Sequence, residues 1–253
     1  AADQAGLPGD AALDRLRALA RDGDPAARVR LANRAFEGRG LGRDAGEAEA
    51  LLRAAADDGD ALAMLGLGQR LLYGMGLPED VAAGEAWLAR AAEAGFAPAQ
   101  EAWGRHLQET GRPGSYWLRL SAEAGFTPGA TAWAEFLLER GDAAEGERWL
   151  EAAMAGNHGR AFALAAARAE APEEAERLLA EALRRRDAPA GLELGLRRYT
   201  RGDFAGAAAA WAGCLKLGAE SAAINVAAMV RRGEWPADRP RPACHQPTAA
   251  GSS

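Results

Sequence analysis

Apolar side chains recur along almost the whole chain at the three- and four-residue spacing of an amphipathic helix, and glycines interrupt the pattern at regular distances. Residues 63–95 show the unit: a helical apolar run, a break at Gly74-Met75-Gly76, a second helical run after Pro78, and a stop at Gly95. Glycines in that stop position stand at Gly23, Gly59, Gly95, Gly125, Gly156 and Gly218, separated by 36, 36, 30, 31 and 62 residues. The last interval covers two units, with Arg186 at the skipped position, so the pattern predicts seven.

The register holds on both sides of these anchors. Eight residues after each comes Leu31, Leu67, Trp103, Trp133, Leu164, Leu194 or Val226, apolar every time. Nine residues after comes Ala32, Gly68, Gly104, Ala134, Ala165, Gly195 or Ala227, small every time. A large residue beside a small one lets a neighbouring helix backbone come close. Eight residues before the anchors lie Leu51, Trp87, Trp117 and Leu178, while Trp149 and Trp211 fall one residue out of step. Each unit is then a helix A after the anchor and a helix B before the next. Pro25, Pro98, Pro128 and Pro189 mark helix-A starts, where a missing N–H costs nothing, and Asp24 and Thr127 can cap free N–H groups. The chain is expected to be all-α, an α/α superhelical solenoid of about seven helix pairs that starts on a B helix and ends on an A helix. Residues 10–233 form the array, with a flexible segment over 1–9 and a proline-rich, disordered tail over 234–253. The A-to-B connections shorten along the chain, from 37–44 and 73–80 to 110–113, 140–142 and 201–203, and the join at Ala171-Pro172 has no glycine.

Composition agrees with this class. Hydrophobic residues make up 49% and charged residues 26%, which suits a soluble protein with a real core. Alanine dominates the apolar share, and β-branched residues are scarce. A net charge of −6 argues against a general grip on nucleic acid. The one dense basic run, Arg184-Arg185-Arg186, lies where it complements a helix C-terminus. Cys214 and Cys244 are too far apart in context to imply a disulfide framework. No run approaches the ~20 apolar residues of a membrane span and no signal-peptide pattern is present. A cytoplasmic protein is expected, or a periplasmic or secreted one if a signal peptide preceded Ala1.

The chemistry-bearing residues are dispersed. His106, His158 and His245 fall in different units or in the tail, so neither a metal site nor a cofactor is expected. The glycines at 38, 40, 42, 74 and 76 lack the strand and the Lys-Ser/Thr of a phosphate loop, and the repeat explains them. The few serines show no nucleophile elbow, and acidic pairs such as Asp57-Asp58 sit at helix ends. The tryptophans fall at or beside core positions, except Trp235, which is placed to anchor the tail or a partner. The chain is not expected to be an enzyme.

Two units carry a more specific signature. Gly38-x-Gly40-Leu41 with Asp44, and Gly74-x-Gly76-Leu77-Pro78 with Asp80, stand between helices bearing Leu31-Ala32 and Leu67-Gly68 before them. Leu51-Leu52, Ala55-Ala56 and Gly59 follow the first loop, and Trp87-Leu88, Ala91-Ala92 and Gly95 follow the second. This looped element resembles the Sel-one-like repeat, a relative of the tetratricopeptide repeat; the other units keep the helix signature without the loop. The resemblance implies a right-handed solenoid whose A helices line a concave surface. It also implies an adaptor role, since members mostly hold other proteins in bacterial and eukaryotic assemblies. The cysteine pair that some secreted members carry in each repeat is absent.

Counting six, ten and thirteen residues from the anchors gives the expected concave face. In the binding role its residues are Asn33, Phe36, Gln69, Leu72, Arg105, Gln108, Thr131, Glu135, Phe162, Tyr199 and Arg231, with Val29 and Leu65 in the same rows. This mixed apolar and amide-rich surface suits a peptide or helix from a protein partner. The alternative is a structural subunit that self-associates or joins an assembly through its unpaired terminal helices, the last of which carries the apolar run 224–230.

Overall fold

A computed structural model of the chain describes residues 8–38 and 44–237. Among them are fourteen α-helices and no strand. The A helices are α2 (Pro25–Glu37), α4 (Ala61–Tyr73), α6 (Ala97–Glu109), α8 (Thr127–Glu139), α10 (Gly159–Arg168), α12 (Ala188–Thr200) and α14 (Glu220–Arg231). The B helices are α1 (Pro8–Arg21), α3 (Ala45–Asp57), α5 (Val81–Glu93), α7 (Ser115–Glu123), α9 (Ala143–Ala155), α11 (Pro172–Arg184) and α13 (Phe204–Lys216). The chain is an all-α helical-repeat solenoid of seven helix pairs, from a leading B helix to a trailing A helix. It divides into two compact units, Ala1–Trp133 and Ala134–Ser253. The helix α1 opens at Pro8, two residues before the expected start of the array. The remainder of the expected flexible segment, residues 238–253 of the expected tail, and the first signature loop from 39 to 43 lie outside the described residues.

The anchors work by left-handed backbone, which lets the chain reverse at the end of a B helix. Gly23, Gly59, Gly95, Gly125 and Gly218 have φ between 80° and 93°. Arg186, placed by spacing alone, also takes the left-handed conformation, with φ 68°. The fifth anchor needs correction: Gly156 has φ −74°, and the left-handed residue is Asn157 at φ 62°. Asparagine tolerates this region better than most side chains, and its Oδ1 accepts a bond from Arg185 Nε at 3.0 Å. With the anchor at 157, Trp149 falls into step at eight residues before it.

Aspartate starts many helices. Asp24, Asp44, Asp60, Asp80, Asp187 and Asp203 each accept the backbone N–H three residues on, at 2.7–3.0 Å. Each such cap contributes about 1 kcal/mol.

Paired small residues set the contact within a hairpin. The small residue nine positions after the anchor on helix A faces another on helix B, eleven positions before the next anchor. Gly68 on α4 meets Gly84 on α5: a Cβ on Gly84 would lie 2.7 Å from Leu72 N and 2.9 Å from Gly68 O. Gly104 on α6 meets Gly114 at the start of α7 in the same way. Ala48, Gly146, Ala175 and Ala207 occupy the same B-helix position and are buried. Around these contacts Leu52, Leu67, Leu88 and Leu118 fill the core of the first unit, and Leu179, Leu194, Val226 and Met229 that of the second. Burying each leucine removes about 1.5–3 kcal/mol of unfavourable hydration.

The end of the second unit extends past residue 233. Tyr199 Oη donates to Glu234 at 2.7 Å and accepts from Arg232 Nη1 at 2.6 Å. Trp235 packs against the cluster holding Val226 and Met229. Residues 234 and 235 thus belong to the folded end of the array, and Trp235 anchors inward.

Candidate protein-binding face

The solvent-exposed face of the A helices is the candidate site, and burial separates the rows that share the expected face. Phe36, Leu72, Thr131 and Phe162 are buried, as are Val29 and Leu65, so none of these presents an open surface. The Phe36 ring lies 3.8 Å beneath the Arg70 guanidinium and against Gly76 of the second signature loop. Thr131 Oγ1 donates to Thr127 O at 3.0 Å. Phe162 lies 4.1 Å under the Arg185 guanidinium, and with the anchor at Asn157 it leaves the predicted row altogether.

Among the other predicted residues, Asn33, Gln108 and Arg231 are exposed, and Gln69, Arg105, Glu135 and Tyr199 are half-buried. Several are engaged within the fold. Asn33 Oδ1 accepts from Arg70 Nη2 at 3.2 Å, Arg105 pairs with Glu101, and Glu135 pairs with Arg160 at 2.6 Å. Tyr199 is held by Glu234 and Arg232.

The open stripe in the first unit runs three, seven, ten and fourteen residues after the anchor. On α4 these are Leu62, Gly66, Gln69 and Tyr73, one helix face by the i, i+4, i+7 rule. Leu62 is 51% exposed and Tyr73 55% exposed, high for large apolar and aromatic groups. An added Cβ on Gly66 would meet nothing within 4 Å, so the centre of the stripe is open. Arg30 and Asn33 on α2 and Glu109 on α6 occupy the equivalent rows, with Arg105 beside Glu109. Partial burial, then Glu109 and Glu101, pushes the Tyr73 hydroxyl above its ordinary pKa. Leu62 and Tyr73 lie outside the expected rows; their signal in the sequence is two large apolar groups on the polar side of α4.

Two polar clusters brace this unit from the side. Arg70 Nη1 donates to Met75 O at 3.0 Å, tying the second signature loop to α4 while Nη2 reaches Asn33 on α2. Between α5 and the α6–α7 connection, Glu85 Oε1 lies 2.7 Å from Nε2 of buried His106 and Oε2 accepts from Arg112 Nη1 at 3.1 Å. The Arg112 guanidinium, and after it His106, holds the Glu85 carboxyl at about 2, well below the usual carboxylate range. Trp103 stacks on His106 with ring centroids 5.7 Å apart. The cluster ties the short, loop-depleted connection back to the preceding helix.

Among the described residues, no group of three or more His, Cys, Asp and Glu side chains could hold a metal ion. No described helix is long and apolar enough to cross a membrane.

No protein-family model and no curated protein matches the chain. Solved structures do. The chain is similar to c5321, a protective antigen of uropathogenic Escherichia coli displaying an SLR fold, at 23% identity over 90% of this chain and 53% of that one, with TM-score 0.61. It therefore spans about half the length of that structure. It is also similar to a Sel1 repeat protein from Oxalobacter formigenes, at 21% identity, 68% and 75% coverage and TM-score 0.60. A third likeness is to the immunity protein Pa5087 from Pseudomonas aeruginosa, at 15% identity, 68% and 70% coverage and TM-score 0.53. At these identities the likeness is one of fold, and the fold of this chain is that of the Sel1-repeat, or SLR, proteins.

Proposed function

We propose that the chain is a non-catalytic scaffold that binds a segment of a protein partner along the solvent-exposed face of its A helices. The observation that carries the reading is the α4 stripe, where Leu62 and Tyr73 stand exposed on either side of Gln69 and the open Gly66. A large exposed aromatic is the residue type that anchors interfaces. Amide and arginine groups on the same A helices, at Gln69 and Arg105, suit the backbone and side chains of a peptide or helix. Affinity purification with the intact chain and with a Leu62→Ser/Tyr73→Ser variant tests the reading. The fold should survive both exposed changes, and the variant should lose the retained protein. Equal recovery by variant and parent removes this face from consideration.

The second reading, self-association through the last helices, is favoured by Ile224 on α14, 69% exposed, and Leu196 on α12, 55% exposed. Light scattering of the parent and of an Ile224→Ser/Leu196→Ser variant decides it. A monomer at every concentration refutes it.

A further inference from the structure

The second unit contains one shortened A helix. The helix α10 has 10 residues, whereas α8 and α12 have 13 each. It ends at Arg168, and the chain passes through Ala169 in extended conformation to Pro172, without a left-handed glycine. The missing turn shortens the helix by about 5 Å. It leaves a groove of about 400 Å³ between the B helices α9 and α11, over the truncated end of α10. The groove lies wholly within the second unit.

Its floor is apolar, made by Leu150, Met154, Ala165 and Leu178. Leu150 and Leu178 are each 5% exposed, so the floor is fixed core rather than loose surface. Met154 is half-buried and able to re-pack around an incoming group. The rim is charged: Glu147 and Glu151 from α9, Arg168 from α10, and Glu174 and Arg177 from α11. Both arginines are already paired, Arg168 with Glu147 at 3.0 Å and Arg177 with Glu174 at 2.6 Å. Glu151 has no ion-pair or hydrogen-bond partner among the described residues. It also stands four residues after Glu147 on one helix face, a like-charge spacing that works against the helix. The groove therefore offers an apolar floor beside one uncompensated carboxylate, in a chain of net charge −6.

We propose that this groove is a second docking site, for a protein segment that presents an aliphatic side chain with a lysine or arginine one helical turn away. The aliphatic group covers Met154 and Ala165, and the cation completes the rim at Glu151. A second copy of this acidic chain is a poorer match in charge than a basic segment, and the acidic rim repels nucleic acid.

The chain holds four methionines, Met64, Met75, Met154 and Met229, so methyl-¹³C labelling gives one reporter in the groove and three controls outside it. The probe is an alanine-based helical peptide carrying one leucine flanked by lysines one turn away, titrated into the intact chain. The Met154 methyl resonance should shift saturably while the other three stay in place. A matched peptide with glutamates for the lysines should not bind, and Glu151→Lys should weaken binding about tenfold or more. Because Glu151 is exposed, that variant keeps its fold. An unmoved Met154 at saturating peptide, an equal response to the glutamate peptide, or unchanged affinity in Glu151→Lys would each overturn the proposal.

Discussion

Two glycine-to-alanine changes in one hairpin should move stability in opposite directions. Gly66 lies inside α4 and Gly84 inside α5, and alanine is the better helix former at both by about 1 kcal/mol. At Gly66 the new methyl meets nothing within 4 Å, so that gain is kept and Gly66→Ala should stabilise by about 0.5–1 kcal/mol. At Gly84 the methyl would fall 2.7 Å from Leu72 N, 2.9 Å from Gly68 O and 3.0 Å from Leu72 Cα. All three are backbone atoms, so no rotamer change relieves the overlap and the two helices must separate. Overpacking of this kind costs about 1–3 kcal/mol, and a backbone clash belongs at the upper end. Subtracting the helix gain leaves Gly84→Ala less stable by about 2 kcal/mol.

Repeat arrays need not unfold in one step, so the assay must be local as well as global. Denaturant unfolding followed by circular dichroism gives the global change. Amide hydrogen exchange in α4 and α5 gives the local one, since opening free energies there track the strength of that hairpin. Gly84→Ala should speed exchange in both helices, and Gly66→Ala should slow it in α4. If Gly84→Ala is neutral, or stabilises as Gly66→Ala does, close backbone approach is not what the small residues of this fold are for.

Other consequences are as direct. Glu85 titrates in the folded chain at about 2, below its ordinary value of 4.5, so its contribution is full above about 4.5 and is lost as pH falls toward 2. The difference in melting temperature between parent and Glu85→Gln should be constant near neutrality and shrink across that window; a difference that persists at pH 2 refutes the Arg112–Glu85 attribution. Arg70→Ala removes the bonds to Met75 O and Asn33 and the cation over Phe36, and should cost about 1 kcal/mol at this partly exposed site. Its signature is faster amide exchange at 75–77 with α12 and α13 unchanged; uniform change would point elsewhere. Burial pushes the Cys214 thiol up to about 11. In a Cys244→Ser chain it should resist alkylation at pH 8 until denaturant is added, and stoichiometric labelling of the folded chain would contradict the burial.

The helices and their order were legible because left-handed glycines and capping aspartates act locally, and both leave marks in sequence. Spacing even located Arg186, which has no glycine to announce it. The error at Gly156 has a physical cause: Asn157 can also adopt the left-handed conformation, and the neighbouring glycine occupied the expected position; Trp149, one residue out of step, was no guide, since Trp211 is equally out of step with the correct anchor Gly218. Part of the expected face is buried for a different reason. At 3.6 residues per turn, rows six and thirteen residues after the anchor sit roughly 80° around the helix from the centre of the open stripe. In the first unit that rotation turns Val29, Phe36, Leu65 and Leu72 into the core, where Phe36 meets the loop and arginine of the next repeat. Whether an apolar residue on an A helix faces solvent or its neighbour depends on how adjacent pairs stack, which no single repeat encodes. The Glu85–His106–Arg112 cluster was illegible for a similar reason: it joins residues 21 and 27 positions apart whose encounter depends on a shortened loop.

The array is least like itself at the C-terminal end of α10. The truncated end of α10 and the glycine-free connection that follows it both border one groove. If the truncation opens that groove, restoring the lost turn must close it. Replacing residues 169–171 with the six residues 137–142 that end α8 and lead into α9 supplies the missing turn and a left-handed glycine. Leu137 is buried where it stands in α8, so its copy should cover Ala165 and Leu178. Burying one more leucine and completing the turn should stabilise the second unit by about 1.5–3 kcal/mol, read as slower amide exchange in α9 and α11. The lysine-bearing peptide should then leave the Met154 methyl unmoved. A graft that stabilises α9 and α11 while Met154 still responds would show that the groove does not depend on the missing turn. A graft that loosens both helices would show instead that the short α10 is required by packing, and the departure from the repeat would then belong to folding rather than to binding.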